Sequence, residues 1–384
     1  MEFLSGPEIV LHIVAYRLWP VWLALALVMG ASWRWRKSLG LYGQLYDSGA
    51  GIAGIFILGF WLFAAVFSRY VSPFNPLEQI AVMKNALPGA IEPQTGQAYL
   101  LGGDKLARDV FSRVIDGSRV VLLIAPLATL VALTVGITLG LPAGYFGRKT
   151  DSLLSFLANL VLAFPVILLF YLLVSPEIMQ TGLPRATAGI FFAFPVILGA
   201  LAFFTRYSGR PALLAVQLLA VLAVSYWLYS TFVFYRDPLG LIQVTPSVLN
   251  IFVAVVFASS PGVFRIVRGL TMDIKTRDYV AAAQTRGENP WYIMVWEVLP
   301  NARGPLIVDT CLRIGYTTIL LGTLGFFGLG MPPESPDWGT TIKDASQLLR
   351  AYVHPALPPA IALMSFVLGL NLLADALREQ SLKD

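Results

Sequence analysis

Apolar residues run along this chain in long blocks and do not alternate with polar ones. The segments 120–141 and 153–174 are nearly continuous runs of Leu, Val, Ala, Ile and Phe. About 20 such residues in an α-helix cross the roughly 30 Å hydrocarbon layer of a bilayer. A membrane-barrel strand would alternate apolar and polar positions over about ten residues, so helices are the spanning structure that fits. The pattern predicts nine spans, near 9–31, 50–68, 119–144, 152–174, 186–205, 211–234, 246–266, 304–328 and 355–377. Two polar stretches interrupt it. Residues 69–118 enter through the turn-rich Ser72-Pro73-Phe74-Asn75-Pro76, and residues 267–303 are long enough for two short helices.

Composition agrees with an all-α polytopic membrane protein. The chain is 57% hydrophobic and 13% charged, against about a quarter charged in a soluble domain. The first span is interrupted by Arg17 and followed, not preceded, by Arg34-Trp35-Arg36-Lys37, which is the wrong charge order for a cleaved signal peptide. The net charge of +5 is scattered over loops, with no soluble domain to gather it into a nucleic-acid patch, so it serves topology. Arg34, Arg36, Lys37, Arg148, Lys149, Arg206, Arg210, Arg378 and Lys383 fall on one side, together with Arg265, Arg268, Lys275, Arg277, Arg286 and Arg303 of the long loop. By the positive-inside rule that side is cytoplasmic and holds the C-terminus, with the N-terminus outside. The lone Cys311 excludes an internal disulfide framework, and His12 and His354 lack partners at ligand spacing, so neither a metal nor a cofactor is expected. No GxxxxGK[ST] phosphate loop occurs, so any ATP hydrolysis belongs to another polypeptide.

Three local patterns carry candidate function. In Asp278-Tyr279-Val280-Ala281-Ala282-Ala283-Gln284-Thr285-Arg286-Gly287 the alanines favour a helix with a small-residue surface that a partner can approach. Gly287 can end that helix in a left-handed conformation. Asn289-Pro290 then reads as a cap and first position of a second helix, reaching Leu299-Pro300. Gly136, Gly140 and Gly144 recur every four residues, the small-xxx-small spacing of closely packed membrane helices. Gly322, Gly325 and Gly328 recur every three. Asp309 and Arg313 interrupt the span at 304–328. They form either a self-neutralised i,i+4 pair or part of the translocation path, with Arg313 meeting a substrate carboxylate.

The segment 281–300 resembles the cytoplasmic signature of binding-protein-dependent ABC importer permeases: Glu-Ala-Ala, three residues, Gly, nine residues, Ile, one residue, Leu-Pro. Ala282, Ala283, Gly287, Leu299 and Pro300 match it, while Ala281 replaces the glutamate and Glu297 an apolar residue. The stretch from Leu101-Gly102-Gly103-Asp104 through Ala107-Arg108-Asp109-Val110 to Ser112-Arg113 resembles the Leu-Gly-Thr-Asp-x-x-Gly-Arg-Asp-Val-x-Ser-Arg element of dipeptide/oligopeptide/nickel permeases. Gly103 and Ala107 depart from it. Gly144-Tyr145-Phe146-Gly147, Gly325 through Pro333, Ser335 through Gly339, and Asn371 through Arg378 also match in family order. Read without the family, Asp104 with Arg108 and Asp109 with Arg113 are i,i+4 pairs on an outside helix, either a charged elbow or a docking contact.

The resemblance is to the C-type permease of that family. It implies a type I importer core of six helices, here with about three additional spans. It divides the chain into an extra N-terminal span and linker (1–49), a first core part (50–175) with the external loop 69–118, a two-span insertion (176–244), and a second core part (245–384) with the coupling loop 267–303. The added spans are expected to pack peripherally. It further implies coupling to the ATPase through Ala282, Ala283, Arg286, Gly287, Leu299 and Pro300. The implied partners are a sister permease in a heterodimer, two ATPase subunits, an external substrate-binding protein and inner-membrane lipid. The implied cargo is di- or oligopeptide, with nickel chelates, opines and saccharides as alternatives. A membrane enzyme would need convergent catalytic groups at membrane depth. A secondary transporter would show internal repeats; neither pattern is found in the sequence.

Overall fold

The computed structural model describes residues 2–175, 177–178, 181–240, 245–329 and 335–381. The apolar blocks fold as helices, which satisfy their backbone hydrogen bonds internally. In chain order these are α1 (Gly6–Arg17), α2 (Trp19–Arg34), α3 (Gly49–Val66), α4 (Val110–Phe146), α5 (Arg148–Leu162), α6 (Val166–Val174), α7 (Leu183–Tyr207) and α8 (Pro211–Val233). There follow α9 (Pro246–Ile274), α10 (Asp278–Thr285), α11 (290–301), α12 (Arg303–Phe327), α13 (Trp338–Ser346) and α14 (Leu357–Ser381). Among the described residues seven of them are long and apolar enough to cross a membrane, and α1 with α2 passes the same test only as a pair, bent by 56° at the break between them. Pro20 in the first turn of α2 lacks the N–H that would carry α1 straight on.

Three expectations change. The span expected at 152–174 is two helices, α5 and α6, parted at Pro165, which also turns Phe164 away from helical geometry. The added spans do not share one environment. No residue of Pro211–Leu228 in α8 is buried, as a peripheral helix requires, but α7 buries Pro184, Ala188, Phe191 and Phe192. Phe192 stacks on Phe252 of α9 at 5.3 Å between ring centroids. The third concerns residues 104–109, which are not helical. Residues 330–334, part of the motif that begins at Gly325, lie outside the described residues.

The chain divides into two compact units, Met1–Pro126 with Cys311–Asp384, and Leu127–Thr310. In the first unit α14 packs along α3. A Cβ on Gly54 would stand 2.9 Å from the backbone nitrogen of Leu373, so only glycine permits that approach. Around it Trp61, Val110, Phe111, Trp338, Phe366 and Leu370 form an apolar core. Trp338 donates its indole N–H to the Val114 carbonyl at 2.9 Å, and Trp61 donates to Ser365 Oγ at 3.0 Å. On α12, a Cβ on Gly322 would collide with Leu363, and one on Gly325 with the Asp337 carboxylate.

Between α3 and α4 the chain builds a small folded elbow. Strands β1 (Ala90–Ile91) and β2 (Ala98–Tyr99) pair antiparallel, Ala90 opposite Tyr99, over a core of Phe74, Met83, Ala86, Ala90 and Tyr99. Asp104 does pair with Arg108, at 2.6 Å, but across a turn whose Leu106 and Arg108 N–H groups also donate to Asp104. Arg108 continues to Asp344 at 2.7 Å, where Lys105 joins at 3.1 Å. Burial pushes the Asp344 carboxyl up, yet the hydrogen bonds from Arg108 and Lys105 prevail and hold it below the usual range. Asp109 does not bond Arg113. It caps α4 by accepting from the Ser112 N–H and hydroxyl at 2.8 and 2.6 Å. Burial pushes its carboxyl up to about 6. Arg113, fully buried, donates instead to Thr341 Oγ1 and the Ser335 carbonyl. A helix would have splayed these groups over its surface; the turn gathers them, because each buried charge needs several partners.

In the second unit α4 and α9 approach through glycine. A Cβ on Gly136 would lie 2.4 Å from a Val263 methyl, on Gly140 2.8 Å from Val267 Cβ, and on Gly144 2.6 Å from Thr271 Cβ. Gly140→Leu is therefore expected to destabilise the folded chain by about 3 kcal/mol, read as a lower melting temperature in detergent. The two departures in the elbow motif should behave oppositely. Ala107 holds φ +62°, so Ala107→Gly removes strain and raises stability by up to about 1 kcal/mol. A Cβ at Gly103 would sit 2.2 Å from the Met83 carbonyl oxygen, so Gly103→Thr lowers it by about 3 kcal/mol.

Candidate functional site

The segment that follows α9 is fixed first by the end of α4. The last carbonyls of a helix have no intrahelical donor and carry its negative dipole end. Lys275, directly after α9, places its ammonium on the carbonyls of Gly144 at 2.7 Å and Tyr145 at 3.3 Å. Arg268 of α9 forms a bidentate pair with Asp151 in the first turn of α5, one contact being 2.6 Å. The hydrogen bond from Arg268 holds the Asp151 carboxyl below its ordinary range.

From this anchor α10 runs with two unlike faces. Val280 and Ala283 are fully buried in a core with Ile137 and Leu141 of α4, Val263 and Val267 of α9, and Ile293, Met294 and Val298 of α11. Tyr279, Ala281, Ala282, Gln284 and Thr285 are exposed. The triple alanine thus serves two ends. Ala282 belongs to a flat outer surface, and Ala283 lets α10 lie close on the core, where it is inaccessible to a partner. Asp278 in the first turn suits the positive helix end.

Arg286 ends α10, and Gly287 turns the chain at φ +77°, a conformation that costs other residues about 1 kcal/mol. The Asn289 side chain caps α11 by accepting from the Trp291 N–H at 2.9 Å, with Pro290 at the first position. The helix widens to a π-helical turn over Ile293–Val298, just ahead of Pro300, whose ring would clash with a regular preceding turn. Asn301 Nδ2 donates to the Glu297 carbonyl at 2.6 Å. Glu297, which stands at an ordinarily apolar position of the motif, forms an ion pair with Arg286 at 3.2 Å. With Arg286 about half exposed, that pair contributes at most about 1 kcal/mol, but it ties the two helices across the turn.

The sequence-predicted residues separate accordingly. Ala282, Arg286, Gly287 and Pro300 are exposed, Leu299 is half-buried against the apolar core, and Ala283 lies within it. Asp309 and Arg313 lie one turn apart on α12, both half-buried; they are not part of the α10 platform. Sequence reasoning missed Tyr145, Lys275 and Trp296. Tyr145 belongs to the Gly144–Gly147 motif and accepts from Gln284 Nε2 at 3.2 Å through its hydroxyl. Phe146 of the same motif meets the Trp291 ring edge-on at 6.3 Å. The motif was legible, but its destination was not. The platform presents an exposed helix face with small residues at Ala281 and Ala282 over a close-packed apolar base.

Known proteins resemble this chain over most of its length. Residues 136–381 match the family described as binding-protein-dependent transport system inner membrane component. The chain is 30% identical to the di/tripeptide transport system permease protein DppC of Pseudomonas aeruginosa over 336 residues, covering 87% of this chain and 88% of that protein. It is 28% identical to the dipeptide transport system permease protein DppC of Haemophilus influenzae, covering 87% and 90%. Identity to the glutathione transport system permease protein GsiD of Pectobacterium atrosepticum is 27%, covering 85% and 84%. On that family match and that identity, this chain belongs to the binding-protein-dependent transport system inner membrane components.

Proposed function

We propose that this multi-pass inner-membrane chain is the permease of an ATP-driven importer of di- and oligopeptides. On this reading it docks its ATPase through the exposed face of α10. The observation that carries the coupling assignment is that face itself: Ala281, Ala282, Gln284 and Thr285 stand clear while Val280 and Ala283 lock the helix onto a core shared with α4 and α9. The peptide class comes from the relatives, whose names specify dipeptides, di/tripeptides and glutathione, the last itself a tripeptide. The excess of Arg and Lys around 265–303 supports a cytoplasmic position for α10 and the C-terminus.

The mechanism is mechanical. A sister permease completes the pathway, two ATPase subunits grip one coupling helix each, and an external binding protein delivers the peptide. ATP binding closes the ATPase pair and draws the coupling helices together. Because α10 rests on α4, α9 and α11 through close-packed side chains, its displacement moves those helices as a body and biases the bundle between inward- and outward-facing states. The motif's missing glutamate at Ala281 means that docking here relies on surface fit and on backbone polarity.

Ala282→Trp should block docking: the ATPase no longer copurifies and uptake falls by about tenfold or more, while the chain still inserts. Copurification at the native level would reject the assignment of this face. Arg313 is the proposed contact for the peptide carboxylate. Arg313→Gln should weaken uptake of peptides with a free C-terminus by about tenfold, the worth of one charge-assisted hydrogen bond. Unaltered uptake and unaltered peptide preference would remove Arg313 from the pathway.

A further inference from the structure

The helix α7 falls in the stretch 176–244, which the motif spacing marks as additional to the six-helix core, yet it reaches the coupling platform directly. Near its start, Phe191 and Phe192 pack on Phe257 and Phe252 of α9. Tyr229 of α8 donates its hydroxyl to the Gly189 carbonyl, and Phe232 joins the same aromatic group at 5.1 Å from Phe192. Toward its other end, Leu198 enters the apolar core of Val280, Ala283, Ile293, Met294 and Val298. One turn further, the α7 backbone and side chains take hold of Trp296 on α11. The indole N–H donates to the Ala202 carbonyl at 3.1 Å and to Thr205 Oγ1 at 3.2 Å. The Arg206 guanidinium lies over the Trp296 ring, 4.3 Å from its centroid.

This combination is specific. A tryptophan on a solvated connector would need no acceptor site in the protein; here its ring is covered by a cation and its indole N–H is shared between two acceptors. A cation held over an indole face is favoured when partly desolvated. The clamp lies on the π-helical turn Ile293–Val298, a rare helical form that is frequently found at functional sites.

We infer that α7 is a strut for energy coupling. It links the first half of α9 to α11, and Trp296, Thr205 and Arg206 are positioning residues that hold α10 and α11 in the orientation the ATPase grips. The inference rests on the docking role given to α10 above. It assigns to the additional helix pair a part in transmission, beyond lipid-facing packing. When the ATPase pulls on α10, load passes through α11 and the clamp into α7, and through its aromatic end into α9. Without the clamp, α11 yields at its widened turn, and ATP is hydrolysed with less movement of the bundle.

The test uses the complete transporter in lipid vesicles, with a labelled dipeptide as probe. Trp296→Phe keeps the ring and removes the N–H donor; Arg206→Gln removes the cation, and Arg206→Lys restores it. Peptide transported per ATP hydrolysed should fall by roughly threefold or more in Trp296→Phe and Arg206→Gln, and recover in Arg206→Lys. The ATPase should still copurify fully, and amide hydrogen exchange across 290–301 should quicken. Native transport per ATP in both weakened variants overturns the strut, whether or not exchange changes. A separate Gln284→Cys chain, otherwise native, is probed for cross-linking to the ATPase. Failure there overturns the docking role of α10, while loss of coupling with that cross-link intact supports the strut.

Discussion

The close approach of α4 and α9 is the constraint on which the second unit depends. Apolar surface gains little by leaving lipid for another apolar surface, so membrane helices associate through close packing and backbone proximity. Gly136, Gly140 and Gly144 provide it by leaving room for Val263, Val267 and Thr271. Because the two helices lie so near, Lys275 can reach the terminal carbonyls of α4, and α10 and α11 follow directly from that contact. Adding a side chain at any of the three glycines would displace the anchor along with the helices.

Polar groups complete the placement where packing alone leaves choice. At the platform they neutralise helix ends and turns: Lys275 on α4, Asn289 on α11, Arg286 with Glu297 across Gly287. At the elbow they are buried outright. Asp104, Arg108, Arg113 and Asp109 are each at most 2% exposed, and charges so deeply withdrawn from water persist only with several partners each. Such a cluster adds little net stability but tolerates few alternative arrangements, which suits a segment that must set the entry of α4 from a loop. The platform is the reverse case. Its charges are only partly buried, its apolar base is tight, and the outer face of α10 is exposed.

The two helices that the motif spacing marks as additional do not share one environment. One of them, α8, has the bare apolar surface of a lipid-facing helix, whereas α7 is built into the base of the platform by Leu198 and the Trp296 clamp. The neighbours of α7 include the buried residues Val280 and Ala283 of α10.

Much of this protein could be read directly from the chain. Run length gave the helical membrane class, and the ordered motifs gave the family. The glycine spacing marked the packing face of α4, and Gly287 and Asn289-Pro290 marked the turn, because periodicity, left-handed backbone and capping are properties of a few neighbouring residues. The sequence could not show that 152–174 breaks at Pro165, since a proline in a long apolar run is compatible with a kinked or a divided helix. Nor could spacing distinguish an i,i+4 pair on a helix from the turn that joins Asp104 to Arg108, or show that Arg113 would turn to Thr341, 228 residues away. Ala283 and Ala282 look alike in sequence, and only the core beneath α10 separates the buried one from the exposed one. The reason is common to all these cases. Local patterns fix which conformations a segment can adopt, whereas the partner of a buried charge, an indole N–H or a small side chain is set by whichever distant element folding brings against it.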